Sequence, residues 1–268
     1  MQSNQIIQYT RENALEFEGK PLVSIITAVF NGEKFLSQTI ESILNQTYKH
    51  IEFIIIDGES TDGTTDIIRN YQDHITCWIS EPDEGVYDAW NKGVNLAKGQ
   101  WLAFVGGDDI LNPDAVESYI NFILKSGAPD LEYVSSKAEL VDDQLNFQRI
   151  IGKPWKWKNF LKFNNLVHVG SFHHQRLFQK YGRYDCGYHI AGDYEFLMRP
   201  GQHLNAAFMD MVTVKMRSSG ISQNKNALYE TMQVKIHTGG RDKMLSFLEF
   251  CYSLLKFRLK RFVDRVIN

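Results

Sequence analysis

A chain of 268 residues with 43% hydrophobic and 13% aromatic residues has the length of one or two globular domains and is not disordered. Its 29 basic and 32 acidic residues leave a net charge of −3 and a pI near 6.2, which argues against nucleic acid as a partner. No apolar run approaches the roughly 20 residues of a membrane-spanning helix. Cys77, Cys186 and Cys251 show no paired spacing, and the N-terminus MQSNQIIQYTREN lacks an apolar secretion core. Both features point to a reducing, cytoplasmic setting.

Residues 1–20 read as an N-terminal extension. LVSIITA (22–28) is a β-branched run of strand length. Asn31 follows as a helix N-cap, with Phe35, Leu36, Ile40, Ile43 and Leu44 at helical spacing. IEFIII (51–56) is a second strand, and STDGTTDIIRNY (60–71) a turn and helix in which Asp62 is a turn acid. ITCWIS (75–80) is a third strand, followed by a helix over 87–98 with Gly99 as its C-terminal cap. WLAFV (101–105) is a fourth strand. Asn112-Pro113-Asp114 supplies an N-cap, a first-position proline and a first-turn acid. LEYVSSKAEL (131–140) and MVTVKM (211–216) read as later strands, SSGIS (218–222) as a turn, and the chain beyond 224 as helical.

Apolar strands alternating with helices imply a mostly parallel sheet covered on both faces. Such sheets bind ligands at the carboxyl ends of their strands. The acids cluster there: Asp57 and Asp62 after the second strand, Glu81, Asp83 and Glu84 after the third, Asp108 and Asp109 after Gly106-Gly107. An acidic edge can hold Mg²⁺ or Mn²⁺, which take one or two carboxylates plus phosphate oxygens. Any single Asp-Gly pair is ordinary turn chemistry; the weight lies in all of them following strands. The first loop, AVFNGEKF, has one glycine, so it fits neither a dinucleotide fingerprint nor a Walker loop. For the same reason a nucleotidyltransferase ranks low.

The segments TAVFNGEKFLSQTIESILNQTY, IEFIIIDGESTDGTTDII, SEPDEGVYDAWNKG and GQWLAFVGGDD resemble the nucleotide-sugar-binding half of family-2 glycosyltransferases with the GT-A fold, over residues 21–125. LFQKYGRYDCGYHIAGDYEFLMR (177–199) is similar to the family's acceptor-side segment. The resemblance implies one GT-A unit over 21–223, with a nucleotide-sugar half (21–125) and an acceptor half (126–223), followed by a helical tail over 224–268. It implies an inverting, metal-dependent hexosyl transfer from a nucleoside-diphosphate sugar, with UDP first among bases, to a saccharide acceptor. The bacterial members the chain most resembles build surface polysaccharides, so the resemblance implies a lipid-linked saccharide as the expected acceptor, in polysaccharide or O-antigen synthesis. A catalytically weak nucleotide-sugar-binding subunit is the alternative.

The same resemblance assigns roles. Thr27, Ala28 and Asp57 fall near the base, while Asp83, Asn91, Lys92 and Gly107 line the nucleotide. For Asn91 and Lys92, a solvated helix face weighs evenly against that role. The Asp-x-Asp metal motif falls on Gly106-Gly107-Asp108, making Asp108 the metal ligand with Asp109 beside it. The Glu-Asp pair that supplies the base falls on Gly192-Asp193, making Asp193 the base. Gly58, Gly106 and Gly192 stand where relatives carry acids.

His168, His173, His174 and His189 match no zinc spacing; they line the acceptor site or shape the second half. Trp155 and Trp157 are either a sugar platform or packing. In the tail, Leu248, Tyr252, Leu255, Leu259, Phe262 and Val266 recur every three or four residues. Five basic residues between Lys256 and Arg265 meet one acid, Asp264. Such a helix suits an anionic membrane surface, giving peripheral attachment at the inner face of the cytoplasmic membrane. Packing on its own domain or in a homodimer weighs equally.

Overall fold

The computed structural model describes residues 19–218 and 225–267, with side chains as far as Leu259. Residues 1–18, the SSGIS turn from residue 219, and the Phe262 and Val266 side chains lie outside the described residues.

The apolar runs become β1 (Val23–Val29), β2 (Ile51–Asp57), β3 (Cys77–Ser80) and β4 (Trp101–Gly106). Between them lie α1 (Leu36–Leu44), α2 (Thr64–Asn70) and α3 (Val86–Leu96). The four strands pair in parallel in the order β3-β2-β1-β4. Each is apolar on both faces because helices cover both. Within β1, Val23, Ile25 and Val29 enter the cluster that contains Leu36 and Ile40 of α1, while Ile26 enters the cluster containing Trp90 and Val94 of α3. Burying each such side chain contributes about 1.5–3 kcal/mol.

β5 (Ile110–Leu111) and α4 (Ala115–Ser126) follow. The second half adds β6 (Tyr133–Val141), β7 (Phe147–Ile151), α5 (Trp157–Phe160), β8 (Phe172–His174), α6 (Gln175–Tyr181), α7 (Gly192–Met198) and β9 (Ala206–Arg217). The sheet continues as β4-β8-β6-β9-β5. Here β8 is antiparallel to β4 and β6, whereas β9 runs parallel to β6. The α/β class is as expected, parallel across the first four strands and mixed beyond. Finally α8 (Lys225–His237) and α9 (Lys243–Ile267) pack on each other. Their contact carries Lys235–Glu249 and Arg241–Glu249 ion pairs at 3.2 and 2.5 Å.

Three local expectations are corrected. Asn31 is no N-cap: it adopts a left-handed φ of 50°, and α1 begins only at Leu36. Its side-chain oxygen instead accepts the Thr61 N–H at 2.9 Å. Gly99 does not cap α3, which ends at Leu96 with Ala97 turning extended; the Gly99 N–H donates to Ser24 Oγ at 2.8 Å and Glu52 Oε1 at 2.9 Å. Asp114, not Asn112, occupies the N-cap position of α4, so Pro113 lies outside the helix. Asn112 is drawn away because its side-chain amide donates to the Val212 carbonyl at 2.9 Å.

Candidate functional site

The carboxyl ends of β1, β2 and β4 lie side by side, since Ala28 is in register with both Ile56 and Gly106. Asp57 ends β2 fully buried. Its carboxylate accepts from Ser60 N–H (3.1 Å), Ser60 Oγ (2.5 Å) and Ser80 Oγ (2.6 Å). It therefore shapes the loops after β2 and β3. The loop after β1 is laced to the same region: Asn31 N–H donates to Ser60 Oγ at 2.7 Å, and Gly32 N–H to Thr64 Oγ1 at 2.8 Å. Asp62 acts as the expected turn acid, accepting from the Thr64 and Glu33 N–H groups at 3.0 and 3.1 Å. Ala28 is half-buried at the end of β1. Thr27 is fully buried within the strand, and its hydroxyl has no hydrogen-bond partner among the described residues.

The loop at 81–85 is closed from within. Asp83 Oδ1 accepts the Gly85 N–H at 2.9 Å. Lys92 Nζ donates to the Pro82 carbonyl at 2.7 Å and pairs with Glu81 at 3.0 Å and Asp88 at 3.4 Å. Burial acts to lower the Lys92 pKa, and these acids outweigh it, so it is raised. Asn91 grips the Tyr184 backbone in both directions, donating to its carbonyl and accepting its N–H, each at 2.9 Å. The polar atoms of Asn91 and Lys92 are thus engaged in holding loops.

At the end of β4, Gly107 lies against Val29, where a Cβ would come within 2.9 Å of a Val29 methyl. Asp108 is half-buried, and burial together with the Asp143 charge raises its pKa despite Arg217 nearby. Asp109 is different. It is only 4% exposed, and its two carboxylate oxygens accept the Gly106 N–H (3.2 Å) and the Arg217 N–H (3.3 Å). Burial and then the Asp108 charge push its pKa well above the carboxylate range. Arg217, at the end of β9, is itself 3% exposed. Its guanidinium donates to the Asp108 carbonyl and, at 2.6 Å, to Gln38 Oε1, and lies 4.1 Å over the Phe35 ring. Among the described residues no group of three His, Cys, Asp or Glu gathers that could hold a metal. The donor set fits a hard cation in one way: Asp108 supplies one carboxylate, and phosphate oxygens supply the rest.

Across the cleft, Asp193 sits half-buried in the first turn of α7. The Tyr87 hydroxyl, from α3, donates to the Ile190 carbonyl at 2.8 Å and to Asp193 Oδ1 at 3.2 Å. Burial raises the Asp193 pKa, and the Tyr87 hydrogen bond partly offsets this. Tyr87 itself is held well above its ordinary value, by burial and then by the Asp193 charge, so it remains a donor. Glu230 of α8 accepts the N–H groups of Ile190 (2.7 Å), Ala191 (2.8 Å) and His189 (3.2 Å) just ahead of α7. Glu195 turns away into a bonded pair with Arg199, so it does not replace the acid missing at Gly192.

The three glycine departures have a common cause. A Cβ on Gly192 would lie 2.8 Å from the buried Tyr87 ring, one on Gly58 2.5 Å from Asp83 Oδ2, and one on Gly106 2.7 Å from Asp109 Oδ2. In each case a neighbouring site side chain occupies the space.

These features, loops with acids at the carboxyl ends of parallel strands and a carboxylate bonded to Tyr87, meet their counterpart in known proteins. The profile of glycosyl transferase family 2 matches residues 24–181. The chain belongs to that family. This glycosyltransferase is 32% identical over 183 residues to a PGL/p-HBAD biosynthesis glycosyltransferase of Mycobacterium bovis, covering 67% of this chain and 69% of the relative. It is 29% identical over 220 residues to an uncharacterized glycosyltransferase of Rickettsia prowazekii, covering 78% and 67%. In fold it is similar to S. aureus TarS in complex with UDP (TM-score 0.64, 16% identity, 87% of this chain and 70% of that one). It is also similar to the mannosyltransferase PcManGT from Pyrobaculum calidifontis in complex with GDP-Man and Mn²⁺ (TM-score 0.57, 16% identity, 80% and 61%).

The histidines shape the second half. His168 stacks on Trp90 at 4.8 Å, and burial lowers its pKa to about 3. His173 is fully buried, and burial holds it well below its ordinary value. His174 caps α6 by accepting the Arg176 N–H, with a pKa that burial lowers to about 4. Only His189 approaches the cleft, with Nδ1 3.8 Å from where a Gly85 Cβ would stand. Trp155 packs on Phe160 at 4.5 Å and on Trp157 at 6.2 Å. Sequence reasoning missed Arg217, Tyr87 and Glu230. Tyr87 alone had a local signal, lying inside SEPDEGVYDAWNKG.

Proposed function

We propose that this glycosyltransferase transfers a hexosyl group, with inversion, from a UDP-sugar to a saccharide carried on a lipid, in bacterial surface-polysaccharide or O-antigen assembly. The observation that carries the reading is the Tyr87 hydroxyl joining the donor-side helix α3 to Asp193 on α7. It supports the reading by linking the expected donor edge to Asp193, the carboxylate expected to accept the proton.

In this reading Asp57 and the loops it fastens receive the base, with Thr27 and Ala28 beneath them. Asp83 and Gly107 face the phosphates, and Asn91 and Lys92 hold the lining loops in shape. Asp108 would hold Mg²⁺ or Mn²⁺, which when bound neutralises charge on the leaving diphosphate. Asp109, buried and bonded to backbone, fixes the loop that presents Asp108. Asp193 accepts the proton of the attacking hydroxyl as general base. Its raised pKa makes it the stronger base once ionised. UDP is chosen because TarS binds it; PcManGT, with GDP-Man and Mn²⁺, supports the metal.

Thermal melting against UDP and GDP, each with and without Mn²⁺, tests the donor side. A ligand that binds only the folded state raises its stability. UDP with Mn²⁺ should give the largest shift, and Asp108→Asn should remove the part due to Mn²⁺. A larger shift with GDP would overturn the base, and a shift indifferent to Mn²⁺ would overturn the metal.

A further inference from the structure

Helix α9 departs from a helix packed only on its own domain. A core-facing helix turns its apolar stripe inward. Here the inward face is mixed, with half-buried Phe250, Leu254 and Phe257 beside polar residues, and the more continuous apolar stripe points outward. Ser246 is fully buried, Glu249 is held by Lys235 and Arg241 of the preceding segment, and Ser253 lines a cavity of about 180 Å³ shared with α8. The outward face carries Met244, Leu248, Tyr252, Leu255 and Leu259, spaced three or four residues apart and each 53–72% exposed. Leu245 and Phe247 widen the stripe and are also exposed.

The charges say what covers it. Lys256 and Arg258 are exposed and flank the stripe on either side, where long basic side chains lie along apolar surface with their charges in the headgroup layer. The only acid between Lys243 and Leu259 is Glu249, which is turned inward and ion-paired. A two-fold contact with a second copy would gather Lys256 and Arg258 of both copies around one apolar seam whose nearest acid, Glu249, is turned inward. An anionic lipid surface neutralises them instead. Among the described residues no helix is long and apolar enough to cross a membrane, so the helix must lie in the plane of the interface.

We propose that the outward face of α9 is a membrane-docking surface for anionic phospholipid, with Met244, Leu248, Tyr252, Leu255 and Leu259 entering the headgroup–acyl boundary. The fold ties that surface to the chemistry. α9 packs on α8, and Glu230 of α8 holds the three N–H groups ahead of Asp193. The docking face and the segment ahead of Asp193 are thus joined through α8. That this link serves the acceptor rests on the lipid-linked-acceptor reading, whereas docking itself does not.

The test is flotation of the full chain with phosphatidylcholine vesicles and with vesicles containing phosphatidylglycerol, alongside light scattering of the lipid-free protein. The chain should float with the anionic vesicles only. Leu248→Glu with Leu255→Glu should reduce the bound fraction about tenfold or more, leaving thermal melting and UDP binding unchanged. Lys256→Gln with Arg258→Gln should weaken flotation less and flatten its salt dependence. Labelling of the exposed Cys251 by a water-soluble maleimide should slow on anionic vesicles. Failure of the wild type to float, or equal flotation of the glutamate variant, would overturn the proposal. So would a dimer that the glutamate variant converts to monomer without any flotation, which would assign the face to a second copy. None of these outcomes touches the donor assignment, which UDP binding reads separately.

Discussion

The proposed donor and acceptor sides of the site are built in different ways. On the donor side each functional loop follows its own strand, and the loops after β1, β2 and β3 are shaped by bonds that are short in sequence or join adjacent strands: Asp57 to Ser60, Asp83 to Gly85, Asn31 to Ser60 and Thr61; the Asp108–Asp109 loop is the exception, held by Arg217 of β9. On the acceptor side one carboxylate, Asp193, is supported from remote points of the chain, by Tyr87 of α3 and, through residues 189–191, by Glu230 of α8. A site assembled from neighbouring loops tolerates change elsewhere. A site held by distant elements responds to all of them. Defects on the donor side should therefore appear as weakened nucleotide binding, and defects on the acceptor side as a lower kcat at unchanged nucleotide affinity.

On the donor side Asp108→Asn should give the largest departure, lowering transfer by about 10²–10³-fold through lost stabilisation of the diphosphate. Rate measurements across a Mn²⁺ titration check it, and a normal rate at saturating Mn²⁺ would remove Asp108 from the site. Arg217→Met should rank next. It removes a buried guanidinium from the Asp108 carbonyl and Gln38 Oε1 and leaves both acceptors without their donor, at about 1–3 kcal/mol of stability. Urea unfolding at neutral pH reads this, and a midpoint equal to wild type would show that the pairing contributes nothing.

Glu230→Ala sharpens the comparison further. It leaves three backbone N–H groups without their acceptor and should cut kcat about tenfold, or about 1.4 kcal/mol, while the donor KM stays fixed. Glu230→Gln, which keeps an acceptor oxygen, should recover part of the loss; an unchanged kcat in both variants would make Glu230 irrelevant to the base.

Tyr87→Phe should have the smallest effect, a few-fold, together with a change in pH dependence. The hydroxyl lowers the Asp193 pKa, so its loss raises that pKa further. Because the base must be ionised, activity rises with pH through this value, and the acidic limb of kcat should move to higher pH. A limb that stays put or moves lower would contradict the contact.

The same division explains what was legible in the sequence. The seven-residue runs of β1 and β2 announce themselves because they are buried on both faces and β-branched. β5 and β8, with two and three residues, are too short to leave a pattern, and β7 is exposed along most of its length. Asn31 has the composition of a cap and serves a loop instead, because the Thr61 N–H offers it a partner from the next strand's turn. Asp108 and Asp109 look alike in sequence. Only the return of β9, which places Arg217 beside them, buries one and leaves the other at the edge. Likewise nothing local marks Glu230, since its partners lie about forty residues earlier and meet it only when α8 packs on α7. The tail was legible as an amphipathic helix, but which face would point outward depended on the Lys235–Glu249–Arg241 pairing.

In the proposed reaction Asp193 accepts the acceptor's proton while the donor edge binds independently. Asp193→Asn, assayed in parallel for sugar transfer and for UDP binding with Mn²⁺, tests it most directly. The raised pKa means that the folded state favours the neutral acid. An ionised Asp193 therefore costs stability as pH rises from the unfolded value through the folded one, and the amide variant should melt no lower than wild type at neutral pH. Transfer should fall about 10²–10⁴-fold with UDP affinity unchanged. Near wild-type transfer by the folded variant would contradict that role.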